Sequence, residues 1–209
     1  MSEASIGALR AASGEGITKR MALGGELALR DLGIDRVLSL RAHRADIVRG
    51  WASYAIGIVG GFALEERLEM IRPLADDGHS GVREWAWMGV RQRIANDLDV
   101  AIEALALWSQ SLSANVRRFT SEATRPRGVW CAHIVELRRE PDRAIGLLTP
   151  LRDDQSKYVQ DSVANWLNDA SKDRPEWVRD VCARWTKESR STRTARIVKR
   201  AMRTIEKNA

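Results

Sequence analysis

The chain has 209 residues, 44% of them apolar and 30% charged, and a formal net charge of +6. That length holds one domain with a substantial core, and the composition excludes a disordered chain. No apolar run approaches the roughly 20 residues that span a bilayer. Met1 to Gly16 lacks the basic-then-apolar order of a secretory signal, so a cytoplasmic location is expected.

Helix is the one strong period. Residues 1–25 read as a helical or flexible lead-in, and 26–209 as stacked helical repeats within a single domain, 1–209. Leu27, Leu29, Leu32, Ile34, Val37, Leu38 and Leu40 recur at helical intervals, as do Ile102, Leu105, Ala106 and Leu107. Strand signals are scarce: two Tyr, two Phe, and no Asn-Gly or Asp-Gly turn between alternating runs. The expectation is an all-α chain, two-thirds helix or more. Pro175, after Ser171 and Asp173 and before Glu176, predicts a capped helix start with proline in the first turn.

A repeat appears when the short polar turns are aligned. Each turn is followed by an aliphatic anchor and, in most copies, an Arg. The anchors Val48, Val82, Val116, Val159 and Ile197 are 34, 34, 43 and 38 residues apart. Two helices and two turns fill that period, so each repeat reads as an outer helix, an Asp-rich turn (Asp76-Asp77, Asp153-Asp154) and an inner helix starting near the anchor. Stacked hairpins of this kind make an α-solenoid whose inner helices line a concave face. The repeat between Val116 and Val159 is nine residues longer than its predecessor, and the excess falls around Thr124 to Trp130. Such an insertion is either a functional loop or a tolerated surface one.

Charge is unevenly placed. Arg184 to Ala209 carries nine Lys/Arg against Glu188 and Glu206, and a second basic cluster runs from Arg117 to Arg143. Such stretches suit a polyanion, since each phosphate neutralised releases a counterion; a solvated helical face is the alternative. Cys131 and Cys182 lie far apart in helix-like stretches, with no Cys/His spacing for zinc, and are expected to be buried thiols rather than a disulfide or metal site. Of the eight tryptophans, Trp51, Trp108, Trp177 and Trp185 are expected to pack, along with one of Trp85 and Trp87.

The run Asn115-Val116-Arg117-Arg118-Phe119-Thr120-Ser121-Glu122-Ala123-Thr124-Arg125-Pro126-Arg127 resembles the signature of the HEAT-like alkylpurine DNA glycosylases, nearest the AlkC branch of the AlkC/AlkD kind. Asp153 to Val159, Ser162 to Asp173 and Ala201 to Lys207 are similar to the same family, so the likeness covers about residues 80–207. Two positions depart from the pattern: Gly128-Val129 precede Trp130 where Leu-Pro is usual, and Trp166 stands where His is common. The resemblance implies a right-handed solenoid of about five HEAT-like hairpins that grips duplex DNA and excises cationic N3- or N7-alkylated purines in base excision repair, as a monomer without metal or organic cofactor. A non-catalytic binder of distorted or branched DNA, or a protein-interaction adaptor, are the rival readings.

Cleaving the glycosidic bond of a cationic purine builds oxocarbenium character on the sugar, which nearby negative charge and a placed water stabilise. By resemblance the carboxylates are Glu122 and Asp169. Glu84, two residues after its anchor, is a third candidate. The plainer alternatives are an i,i+4 ion pair from Glu122 to Arg118 and a cap or turn role for Asp169. Trp130, beside the insertion, offers an aromatic face to a cationic base. Phosphate contacts are expected from Arg117, Arg118, Arg125, Arg127, Lys157, Lys172, Arg193, Arg196, Lys199, Arg200 and Arg203.

Overall fold

A computed structural model describes residues 1–207. It is 78% helix and, among those residues, contains no strand. The helices gather into two compact units, residues 1–97 and 98–209. Among the described residues, no helix is long and apolar enough to cross a membrane.

The first unit holds α1 (Glu3–Ala11), α2 (Ile17–Ser39), α3 (Asp46–Ile58), α4 (Leu64–Ala75) and α5 (Ser80–Asn96). The lead-in is thus helical. The Ser2 hydroxyl caps α1 by accepting from the Ser5 amide, and Ser2 and Ser5 hydroxyls both donate to Asp31 on α2. Helix α2 is kinked at Gly33, whose φ of 73° lies in the region that glycine enters without a Cβ clash. On α5, Val82, Ala86, Val90 and Ile94 recur every four residues and are all fully buried, the stripe that makes this helix pay back its ordering entropy. Helix α3 meets α5 backbone to backbone: a Cβ on Gly57 would collide with the Gly89 carbonyl.

Arg67 on α4 closes the end of α3. Its guanidinium is buried and donates to the carbonyls of Ile56 (2.6 Å) and Val59, which the helix end leaves without partners, and to that of Phe62 (3.3 Å) in the loop that follows. Burial lowers the Arg67 pKa, with Arg93 adding to the effect. Arg67→Ala is expected to cost about 2–4 kcal/mol by stranding buried carbonyls. Urea unfolding measures this; a loss under about 0.5 kcal/mol, the scale of an ordinary surface change, would mean the carbonyls find other partners.

The second unit holds α6 (Leu98–Trp108), α7 (Ala114–Ala123), the short α8 (Val135–Arg139) and α9 (Ile145–Leu148), α10 (Lys157–Ala170), α11 (Pro175–Glu188) and α12 (Thr192–Lys207). Helix α10 packs against both α7 and α12. Its buried side carries Val159, Val163, Trp166, Leu167 and Ala170. Ser113 caps α7 through the Asn115 amide, and Pro175 is the first residue of α11, as expected. The cap does not come from Ser171 or Asp173: Asp173 is taken by two arginines instead.

The anchors mark the inner helices. Val48, Val82, Val116 and Val159 are each the third residue of α3, α5, α7 and α10, and Ile197 lies in the second turn of α12. All but Val48 are buried. The Arg after the anchor has a structural job. Arg49 pairs in a fork with Asp77 and donates to the His43 and Arg44 carbonyls; Arg83 donates to the Asp77 and Gly78 carbonyls. Arg117 repeats the pattern, forked on Asp154 at 2.6 and 3.0 Å and donating to the Ser111 and Leu112 carbonyls. Arg49 and Arg117 each fasten the turn before their own helix to the acidic turn of the next repeat, and Arg83 braces the turn before α5. Gln160 replaces it in the next copy, donating to the Asp154 carbonyl.

Candidate nucleic-acid interface

One side of α10 carries Tyr158, Asp161, Asn165 and Asp169, spaced three or four residues apart and so aligned along the helix, and Lys172 follows three residues on, in the turn past the helix end. Helix α7 meets it with Arg118 and Glu122, followed by Arg125 just past the helix end. Helix α12 meets it with Arg196, Arg200 and Arg203, again at intervals of four and three. These three rows form a polar face within the second unit.

At its centre lie two buried carboxylates, Glu122 and Asp169, each only 3% exposed. Arg125 reaches both: Nη1 is 3.4 Å from Glu122 Oε2, while Nε and Nη2 are 2.8 and 2.7 Å from Asp169 Oδ2. Arg118 Nη2 approaches Glu122 Oε1 at 3.4 Å, and Lys172 Nζ donates to Asp169 Oδ1 at 3.1 Å. The Arg118 guanidinium also lies 4.1 Å from the centre of the Tyr158 ring, a close cation–π contact. Burial alone would lower the Arg125 pKa, but Glu122 and Asp169 outweigh it and the pKa is raised. Beneath the cluster, the Ser121 and Ser162 hydroxyls bond at 2.5 Å, and Trp166 Nε1 donates to the Thr124 carbonyl at the end of α7.

On the α12 side, Arg196 and Arg200 share Asp161 at 2.6 and 3.1 Å, and Arg203 donates to Asn165. These guanidiniums are oriented by α10 while remaining a third or more exposed where an ion pair is made. Lys199 and Lys157 are exposed as well. Arg193 is forked on Asp153.

The long repeat is long because residues 124–134 are irregular between α7 and α8. Its base is fastened. The Ile134 amide donates to the Pro126 carbonyl, and Arg127 and Arg138 both fork onto Asp173 at 2.8–3.1 Å. The Arg138 bond, helped by Arg127 and opposed by burial, holds the Asp173 carboxyl well below the usual range. That contribution to stability is full above the ordinary carboxylate pKa and is lost as pH falls through the lowered one. At the tip, Val129 and Trp130 are 49% and 72% exposed, and Trp130 has φ 69°. A bulky aromatic there carries strain of about 1–3 kcal/mol.

Several expectations change. Arg117, expected at phosphate, is forked on Asp154; Arg125, also expected at phosphate, lies between Glu122 and Asp169; Arg127 is forked on Asp173. Glu122 does make the i,i+4 pair with Arg118, while also meeting Arg125. Glu84 lies in the first unit, where it accepts from Trp87 Nε1 at 3.0 Å. Trp130 is 72% exposed at the tip of its loop. Trp87 proves to be the buried member of its pair, and Trp108 and Trp185 are buried too. Cys182 is buried, its thiol pushed up to about 11 by desolvation, and Cys131 is partly exposed. Sequence reasoning passed over Tyr158, Asp161, Asn165 and Asp173. The first three share the three-to-four-residue spacing with Asp169, a polar periodicity that could have revealed them.

The fold and this face define an all-helical, HEAT-like repeat protein with a charged surface across three inner helices. No family model matches the chain. Its structure superimposes on the Pseudomonas fluorescens alkylpurine DNA glycosylase AlkC, solved bound to DNA containing an abasic site analogue, with a TM-score of 0.80 at 26% identity, covering 97% of this chain and 57% of that one. It superimposes also on AlkD2 from Streptococcus mutans, with a TM-score of 0.73 at 20% identity over 95% of this chain and 97% of that one. The uncharacterized protein YhaZ of Bacillus subtilis is 41% identical over 86 residues, which is 41% of this chain and 24% of that protein. The chain thus spans about a quarter of that curated relative and just over half of the AlkC chain. Its fold is the helical-repeat fold of the AlkC and AlkD alkylpurine DNA glycosylases.

Proposed function

We propose that this chain is an alkylpurine DNA glycosylase that holds duplex DNA against α7, α10 and α12 and cleaves the glycosidic bond of cationic N3- or N7-alkylated purines. The observation that carries the reading is the buried Glu122–Arg125–Asp169 cluster, bordered by the arginines of α12, on a fold shared with an AlkC solved on abasic DNA. The lesion base leaves as a neutral purine, taking the bonding electrons. Positive charge develops on the sugar, and water then adds at the anomeric carbon and releases a proton. Glu122 and Asp169 stabilise that charge; Arg125 holds both in place, which removes reorganisation cost at the moment of reaction. Lys172, 40% exposed at its side chain, can turn from Asp169 to a backbone phosphate and thereby strengthen the field of that carboxylate.

The direct test is release of methylated bases from methylated duplex DNA, read by chromatography beside a control glycosylase. Binding should also weaken steeply with salt, at a log–log slope near −0.9 per phosphate neutralised, and Arg196→Ala with Arg200→Ala should flatten that slope by about 1–2. Salt-insensitive binding would end the nucleic-acid reading. Tight binding to alkylated DNA without base release would instead favour a non-catalytic binder, a reading supported by one observation: both carboxylates are already paired with cations.

A further inference from the structure

We propose that Asp161 is a resident phosphate surrogate: its carboxylate occupies the place between Arg196 and Arg200 that a backbone phosphate takes when duplex DNA binds, and so holds down the affinity for DNA of any sequence. This rests on the DNA-binding half of the proposed function but not on its chemistry. Arg196 and Arg200 stand one turn apart on α12 and converge on a single oxygen, Asp161 Oδ1. Arg196 reaches it through Nη2 at 2.6 Å and Arg200 through Nε at 3.1 Å. Two guanidiniums meeting on one oxyanion is an arrangement that suits a phosphate equally well. Arg196 is steadied from its other side, where Nη1 donates to Gln160 Oε1 at 3.1 Å, and Gln160 is itself tied to the Asp154 carbonyl. It therefore keeps an anchor when the carboxylate is displaced.

Exposure sets this pairing apart from the forks that fasten helices. At Arg117–Asp154 and Arg125–Asp169 the carboxylate side chains are 5% exposed. Asp161 is 41% exposed, between arginines at 33% and 44%. An ion pair this open is weak and screened by salt, so a phosphate can take it over readily. A carboxylate in this row otherwise opposes binding, because it repels the phosphates that the neighbouring arginines attract. One turn further along α10, Asn165 accepts from Arg203 at 3.0 Å and orients it without adding a charge. An amide therefore suffices to position an arginine here, and what Asp161 adds is the negative charge. That charge offsets part of the grip of α12 on intact duplex, which frees the protein to leave it and search further.

The test measures equilibrium binding of the full chain to two labelled duplexes, one intact and one carrying a tetrahydrofuran abasic analogue, over a range of salt. Asp161→Ala and Asp161→Asn should each tighten binding to both duplexes about tenfold at about 0.1 M salt, and steepen the log–log salt slope by about one. The ratio of abasic to intact affinity should stay within about twofold of wild type, because the backbone phosphate is common to both. In an Arg196→Ala/Arg200→Ala background, Asp161→Ala should tighten binding by less than about twofold, since the competition it ends needs those arginines. Residue 161 is partly exposed, so both variants are expected to fold, and circular dichroism checks them. Unchanged affinity, or weaker binding by Asp161→Ala with little effect of Asp161→Asn, makes the carboxylate an organiser of the arginines and overturns the surrogate. An equal gain without the arginines, the mark of plain repulsion, overturns it too. Each of these results leaves the glycosylase reading standing. Failure of wild type and variants to bind either duplex overturns both.

Discussion

Asp169→Asn is expected to slow excision of a cationic alkylpurine by tenfold to a thousandfold under single-turnover conditions, about 1.4–4 kcal/mol of barrier. The substitution keeps the shape of the side chain and one oxygen for Arg125, so the 2.7–2.8 Å contacts at Oδ2 can persist. What it removes is one negative charge beside a sugar whose positive charge appears only in the transition state. Affinity for undamaged and abasic duplex should therefore change by no more than a few fold, since phosphates are met by other side chains. The loss stops short of complete inactivity because the alkylated base is already a good leaving group and Glu122 remains. An equal fall in affinity and rate would make Asp169 a binding residue. An unchanged rate would remove it from the chemistry altogether.

Much of the architecture was legible in the chain. The anchors located the starts of α3, α5, α7 and α10 within a few residues, and the enlarged spacing between Val116 and Val159 located the irregular segment 124–134. Hydrophobic periodicity survives in sequence because every inner helix must bury the same side. Charge is less readable. A run of arginines looks the same whether its members face phosphate or grip carboxylates forty residues away. Arg117 to Asp154, Arg125 to Asp169 and Arg127 to Asp173 are all pairings of that second kind, set by packing between helices. The Gly33 kink depends on one backbone angle and left no periodic trace. The fastening of the 124–134 segment was not visible either, because Asp173 meets Arg127 and Arg138 across 46 and 35 positions.

Arg125→Met should then be among the most destabilising changes in the second unit, at about 3–5 kcal/mol. The guanidinium is a single bridge between two carboxylates that are each 3% exposed, and methionine fills similar volume without charge or donors. Glu122 would keep Arg118, and Asp169 would keep Lys172, so the cluster does not lose all compensation. Asp169 does lose its most deeply held donor, and Glu122 one of two equally buried ones, in a site where water cannot easily replace it. The same change in a Glu122→Gln/Asp169→Asn background should cost far less, because the charges that needed the bridge are gone. Chemical denaturation of the four proteins closes a thermodynamic cycle, and a coupling of about 2 kcal/mol or more is the expected result. A coupling near zero would mean that Arg125 stabilises through its aliphatic stem alone, and that the two carboxylates are held in place by α7 and α10 without it.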